Sequence, residues 1–300
     1  KLKATYKKRT GNSFEDADYE SFGITDEKGR MSNAGALLAD ECPIRQSRLF
    51  CTRWNGLDKA PGVIDAVDDK EYSGGLINLL QAGTEFVSNN SKRAWKKTGD
   101  GRIEMPDYPE RAVLEGLVNA LIHRNYLELG SEVHIDMFDD RLEIYSPGGM
   151  CDGSRVQDRD LMRVPSRRRN PIIADIFNRL KYMDRRGSGF KKILSDYRNH
   201  PNYTTQMEPR FYSDNDSFLL VLSNVNYSKQ DIFMHDKRTE KTIGNMNRIR
   251  EYLKEHDGAK TREIAEFIEL STARTRALLN SMEDVIATGE YVNRRYWVRK

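Results

Sequence analysis

Apolar positions recur at helical spacing in one stretch above all. Between residues 110 and 126, Leu114, Leu117, Val118 and Leu121 return at steps of three and four, the stripe of a helix with one buried face. Pro109 stands just before it, where a helix start tolerates proline. The same period predicts helices over 31–39, 76–89 and 171–180, and another after Gly187-Ser188-Gly189 with Phe190, Ile193, Leu194 and Tyr197 inside. Alternation at period two predicts strands over 48–54 and 63–67, and a hairpin of 132–138 with 141–145. Later strands are expected around Phe211-Tyr212 and 218–222. Residues 1–13 read as a frayed basic start or a nucleic-acid arm, 92–101 as a polar turn region, and 151–170 as an arginine-rich loop. Residues 223–240 lack periodicity and read as a linker. From Lys241 the pattern becomes three short helices and a terminal hairpin.

Beside the apolar stripe of 110–126 run Glu115, Asn119 and His123, four residues apart and so on one side of the helix. An acid, an amide and an imidazole in a row are costly to bury without partners. They mark either a functional site or a helix edge at a wet surface. Two strands, the turn Ser146-Pro147-Gly148-Gly149, a basic loop and a Gly-Ser-Gly helix start follow in that order.

This order of parts resembles the GHKL ATPases, the family of gyrase, Hsp90, histidine kinases and MutL. It is most similar to a branch of RecG-like transcriptional regulators. These carry a Schlafen AlbA-type segment, a HATPase-like domain with a motif E-x-L-V-N-A-x-x-H-R-D-Y, and a winged helix. Here the motif runs from Glu115 to Tyr126, with Asn125 where the branch has Asp, and 31–39 resembles the end of the AlbA-like segment.

The resemblance implies an α+β chain built on a GHKL, or Bergerat-like, two-layer α/β sandwich. An N-terminal flanking segment would cover 1–95, the ATPase-like domain 96–225, a linker 226–240 and a winged helix-turn-helix 241–300. It implies Mg-ATP, with Asn119 holding the metal and Glu115 relieving water of a proton, a role in which loss of the base typically costs about 10²–10⁴ in rate. The plain alternative for Glu115 is a surface salt bridge. His123 and Arg124 either line the site or hold the helix end by bonding carbonyls. Ser146 stands nearest the position where the family's Asp reads adenine, and a hydroxyl accepts from an amino group more weakly than a carboxylate. Gly148 and Gly149 end a strand or turn backbone N–H groups outward. Gly187 and Gly189 open a helix suited to phosphate, or serve close packing, with Arg185 and Arg186 beside them. Arg167, Arg168 and Arg169 form a lid over phosphates or a solvated loop that contacts another chain or nucleic acid.

Composition narrows the class. Charged residues are 32% and apolar residues 38%, and no apolar run approaches the roughly 18 residues of a membrane span. No secretory signal is visible, and the first residue, Lys1, suggests a piece of a longer protein. Three cysteines, Cys42, Cys51 and Cys151, fit no zinc spacing and suit a reducing cytosol. The absence of a G-x-x-x-x-G-K-[ST] run argues against a P-loop enzyme. The net charge of +3 says little by itself.

On the third C-terminal helix Thr272, Arg274, Thr275, Arg276 and Asn280 are expected to face a groove, with Asn293, Arg294 and Arg295 at the wing tip. Residues 241–300 count 12 Lys or Arg against 9 Asp or Glu, so double-stranded DNA and protein contact both stay open. The leading expectation is a cytosolic transcriptional regulator, a homodimer whose assembly responds to nucleotide, at most a slow Mg-dependent ATPase. The alternatives are a non-enzymatic DNA-binding protein with a degenerate GHKL fold, and a protein-interaction module without DNA.

Overall fold

A computed structural model of the chain describes residues 1–59, 65–184, 187–227, 229–256, 258–282, 284–289 and 294–299. Two compact units emerge, one formed by Lys1–Leu57 with Ala66–Asn226, the other by Asp58–Asp65 with Tyr227–Lys300.

The first unit is organised on a six-stranded sheet in the order β2-β1-β5-β6-β8-β7. Its strands are β1 (Arg48–Trp54), β2 (Ala66–Ser73), β5 (Val133–Met137), β6 (Arg141–Pro147), β7 (Arg210–Ser213) and β8 (Ser217–Ser223). Only β1 and β5 run parallel; the other neighbours are antiparallel. The register aligns Cys51, Ile135, Ile144, Leu220 and Phe211 in one row across five strands. All five are buried, and strand pleating puts them on a single face.

Helices α4 (Leu76–Asn90), α5 (Glu110–Ile122) and α7 (Gly189–Arg198) join that core. Close seating needs glycine at two points. A Cβ at Gly116 of α5 would stand 2.6 Å from Leu220 and 3.1 Å from Ile144, and one at Gly83 of α4 would stand 2.9 Å from Leu49. Helix α7 also caps α5, because the Asp196 carboxylate accepts from the Ala112 N–H at 3.0 Å, one of the donors a helix start leaves unpaired. Helix α6 (Pro171–Arg179) begins on proline and buries Ile173, Ile176 and Phe177.

The chain start is ordered rather than frayed. Helices α1 (Leu2–Thr10) and α2 (Asp16–Ser21) gather Tyr6, Phe14, Tyr19 and Phe22 into an aromatic cluster. Arg9 stacks on Tyr182 and donates to the Leu180 and Lys181 carbonyls, so a basic side chain serves as a strap. Helix α3 (Asn33–Leu38) is capped by Ser32, which accepts from the Gly35 N–H at 3.1 Å.

Four expectations are corrected. The boundary at 95/96 is no break, because β1 pairs with β5 and places the earlier segment inside the same sheet. The strand expected at 63–67 is β2, which starts at Ala66; residues 60–64 lie outside the described set. The polar turn region is a two-stranded ribbon of its own, β3 (Arg93–Thr98) with β4 (Gly101–Pro106). Its described side chains are exposed or half-buried on both faces, so it carries no apolar alternation. The linker is helical, for α8 runs unbroken over Lys229–Glu255. Its Lys, Glu, Gln and Arg are good helix formers that show no apolar stripe.

Helix α5 ends at Ile122, four residues short of the predicted stretch. The next four residues form a knot of hydrogen bonds. Arg124 is 1% exposed and donates to the Asn125, Glu128 and Ser131 carbonyls. Asn170 reaches the Ile122 and Arg124 carbonyls from the other side, at 2.7 and 2.9 Å.

In the second unit the end of α8 packs with α9 (Thr261–Phe267) and α10 (Thr272–Ser281) around Ile249, Leu253, Ile264, Leu278 and Leu279. Strands β9 (Ala259–Lys260), β10 (Val285–Thr288) and β11 (Arg295–Val298) form a sheet in the order β10-β11-β9. Tyr296 is buried against the helices, and Trp297 lies over Gly258, whose Cβ would stand 2.7 Å from the indole. The expected strand at Tyr291-Val292 lies outside the described residues.

Replacing Arg124 by lysine should lower stability by about 1–3 kcal/mol in urea unfolding, since an ammonium cannot fork across three buried carbonyls. Unchanged stability would mean that those carbonyls find other donors.

Candidate functional site

The stripe that seats α5 on the sheet leaves its polar row at the edge of a cleft. Glu115, Asn119 and His123 form one wall, the turn 146–152 a second, and the loop 164–167 a third. The start of α7 closes the site with Gly187, Ser188, Gly189 and Phe190. The cleft holds about 1080 Å³ of atom-free space, open solvent at its mouth included, which is the scale of small-molecule sites.

Gly189 makes the closest approach. A Cβ there would stand 3.0 Å from Glu115 Oε1 and 3.1 Å from Asn119 Nδ2. Absence of a side chain lets the helix start lie directly against the acid and the amide. Gly187 has φ +61° and abuts Ser166, so its positive dihedral steers the chain into α7. The first N–H groups of a helix carry partial positive charge toward such a site.

Glu115 is 6% exposed. Burial pushes its carboxyl above the usual range, and Lys192 of α7, 3.7 Å away, opposes that shift. The same ammonium pairs with Asp184 at 2.7 Å. The imidazole of His123 is pushed down to about 4, chiefly by burial and then by Arg169, so it is neutral at pH 7. Ser146 is buried and donates its hydrogen to the Ala120 carbonyl at 2.7 Å.

The Gly-Gly turn works differently from expectation. The Gly148 N–H donates to Asp216 at 2.6 Å and the Gly149 N–H to Asn215, so neither is turned outward. A Cβ at Gly149 would overlap the Asp214 carbonyl oxygen, and Gly148 sits at φ +97°. The two glycines serve close packing of the turn on the β7–β8 connection.

The arginines divide as well. Arg167 lines the cleft, with Asp152 at 3.8 Å. Arg168 pairs with Asp175, and Arg169 donates to the Gly149 carbonyl at 2.6 Å, so neither reaches the cleft as a lid. Arg124 bonds carbonyls, while its neighbour His123 lines the cleft. Arg185 and Arg186 lie outside the described residues.

Sequence reading missed Asp152, whose carboxylate lies between Arg159 at 3.2 Å and Arg167. It missed Lys192, and the aromatic wall of Phe190, Phe211 and Phe218, where Phe190 meets the other two rings at 4.8 and 6.2 Å. An acid just after the glycine turn and ahead of an arginine run was the available signal for Asp152.

In the second unit Thr272, Arg274, Arg276 and Asn280 are exposed on α10. Thr275 is not a surface residue. It is fully buried and its hydroxyl donates to the Ser271 carbonyl at 3.0 Å, because it falls on the inward side with Leu278 and Leu279. Arg294 and Arg295 are exposed, the first over the Tyr296 ring and the second bonded to the Gly258 carbonyl; Asn293 lies outside the described residues.

Residues 130–222 match a family model described as "Putative ATP-dependent DNA helicase recG C-terminal", a HATPase-type domain. The domain is HATPase-like. The matched span holds the Gly-Gly turn, Asp152 and the start of α7, and α5 completes the cleft from outside it. Among solved structures, the DIP2311 protein from Corynebacterium diphtheriae is similar with a TM-score of 0.63 at 15% identity. The likeness covers 99% of this chain and 60% of that one, and it concerns the fold alone. None of the curated proteins matches this sequence. Among the described residues no helix is long and apolar enough to cross a membrane.

His123 ties the HATPase-like domain to pH. Its folded value of about 4 lies below the ordinary 6.5, so between those values the unfolded chain binds a proton that the native state refuses. The contribution is fully present above about 6.5 and is lost as pH falls toward 4. Thermal unfolding should therefore weaken more steeply over that window in the wild type than in His123→Gln. Equal slopes would show that the imidazole is free to protonate.

Proposed function

We propose that the cleft of the HATPase-like domain binds Mg-ATP and that the C-terminal unit is a winged helix that binds double-stranded DNA, together forming a transcriptional regulator. The observation that carries the nucleotide reading is the seating of Gly189 against Glu115 and Asn119. An acid, an amide and a helix start meet at one wall of a cleft within a HATPase-like setting.

The residues present fit the group. Among the described residues no three His, Cys, Asp or Glu gather to cage a metal. That suits Mg²⁺, which is held by few protein ligands together with phosphates and water. Asn119 would be its protein ligand, and the bound ion would neutralise phosphate charge. Arg167 and the start of α7 would attract the phosphates. Glu115 has the place of a general base, its carboxyl raised by burial against the opposing pull of Lys192. The activity is at most a slow Mg-dependent ATPase. Arg168 and Arg169 are withdrawn from the ligand set, while Gly148 and Gly149 stay in the cleft wall with their N–H groups spent inside the turn.

Ser146 gives the site a base preference. Its hydrogen is spent on the Ala120 carbonyl, so toward the cleft the oxygen can only accept. An adenine amino group donates to it, whereas a guanine carbonyl would face it lone pair to lone pair.

Mg-ATP at about 100 times its Kd should raise native stability by roughly 2.7 kcal/mol in a thermal-shift assay. GTP should do less, and Asn119→Ala should abolish the gain. No shift in the wild type with any nucleotide would remove the nucleotide reading.

For the second unit the supporting observation is the exposure of Arg274, Arg276 and Asn280 on one helix, with Arg294 and Arg295 at the adjoining hairpin. Thr275 is no part of that surface. Binding to duplex DNA should weaken steeply with salt and fall further in Arg274→Ala with Arg276→Ala. Retention that ignores salt would favour protein contact instead. Light scattering with and without Mg-ATP tests the homodimer.

A further inference from the structure

Among the described residues, the ribbon β3–β4 is the two-stranded sheet of the first unit, and the described side chains along its outer length are exposed. Arg93, Ala94, Trp95, Lys97 and Thr98 of β3 are exposed, as are Gly101, Arg102, Ile103 and Glu104 of β4. Trp95 is 54% exposed. A lone hairpin is marginal in water, so a bare indole in its middle asks for a ligand.

The base of the ribbon is fixed to the body. The Asp107 carboxylate accepts from the Lys92 N–H at 2.8 Å, and the Asp107 N–H returns to the Lys92 carbonyl at 3.1 Å. Asn226 donates to the Met105 carbonyl at 2.9 Å and to Asp107 at 3.0 Å. The arm therefore projects from a clamped root.

Its register decides what one face presents. Trp95 lies opposite Glu104, Lys97 opposite Arg102, and Arg93 opposite Pro106, and alternate positions share a face. That face holds three cations around one indole. Its single acid, Glu104, is taken up by Arg102 at 2.6 Å, with Arg93 at 3.8 Å. Arg93 also donates to Ser88 at 2.8 Å and pairs with Glu110 at 3.4 Å, so it is anchored at the root, while Lys97 is the exposed cation nearest the tip.

We propose that the 93–106 hairpin is a docking arm for a single-stranded nucleic acid, with a base stacked on Trp95 and backbone phosphates on Lys97, Arg102 and Arg93. The flat ring suits bases of any identity, and the cations flank it on both strands, which is the chemistry of sequence-tolerant single-strand binding. An acidic peptide would use the cations and leave the ring idle. This arm shares no residue with the cleft or with α10, and the proposal stands whether or not either of those readings holds.

The test is fluorescence anisotropy of the full chain with a labelled twenty-residue oligothymidylate, at low and moderate salt. The Arg274→Ala, Arg276→Ala pair serves as background, so that α10 does not contribute. Trp95→Ala should weaken binding about tenfold, Trp95→Phe should restore most of it, and Lys97→Glu with Arg102→Glu should abolish it and flatten the salt slope. All these side chains are exposed, so circular dichroism melting should match the parent. No binding by the parent overturns the proposal. So does binding that ignores Trp95, or a polyglutamate peptide that competes as well as the oligonucleotide. A change from dimer to monomer in Trp95→Ala with oligonucleotide affinity intact also overturns it, and would make the arm a contact between copies.

Discussion

Helix α5 must bury one stripe and keep another accessible, and both lie on the same thirteen residues. Leu117, Val118 and Leu121 go into the core, while Glu115 and Asn119 sit at its rim. The cleft is the physical result. A carboxylate and an amide at that depth need polar company, and the start of α7 supplies it through Lys192 and the bare backbone of Gly189. The bond runs both ways, since Asp196 of α7 caps the first turn of α5.

The cost of placing a polar row next to a packed one is met by glycines and arginines. Gly116 and Gly83 let the helices sink onto the sheet, and Gly149 lets the turn close against Asp214. Arg124 and Arg169 do not line the cleft. They bind carbonyls at the end of α5 and at the glycine turn, where irregular backbone leaves acceptors without ladder partners. The run from Glu115 to Tyr126 thus divides between side chains that line the cleft and side chains that brace the backbone. His123 stays neutral in the cleft while its neighbour is buried as a brace.

Charge carries different meanings in different parts of the chain. Arg9 straps a helix, Arg168 pairs with Asp175, and Arg167 shares Asp152 with Arg159 at the cleft. On the ribbon, by contrast, three cations share a face with an exposed indole, Arg93 and Arg102 held by Glu110 and Glu104 and Lys97 at the open end. Composition counts these alike; surroundings tell them apart.

The helix periods of α4, α5, α6 and α7 and the alternation of β1, β5, β6 and β8 were legible because each element has one buried face, which writes a period into the chain. The row Glu115, Asn119, His123 was legible for the same reason, as was the glycine start of α7. The ribbon and the first half of α8 were not legible, because their sequences carry no apolar period to read. Nor could local pattern say that β1 joins β5, or that Gly148 and Gly149 spend their N–H groups on the β7–β8 connection. Those outcomes are set by pairings between residues far apart in sequence. Local spacing fixes which side chains share a face; only packing decides what that face meets.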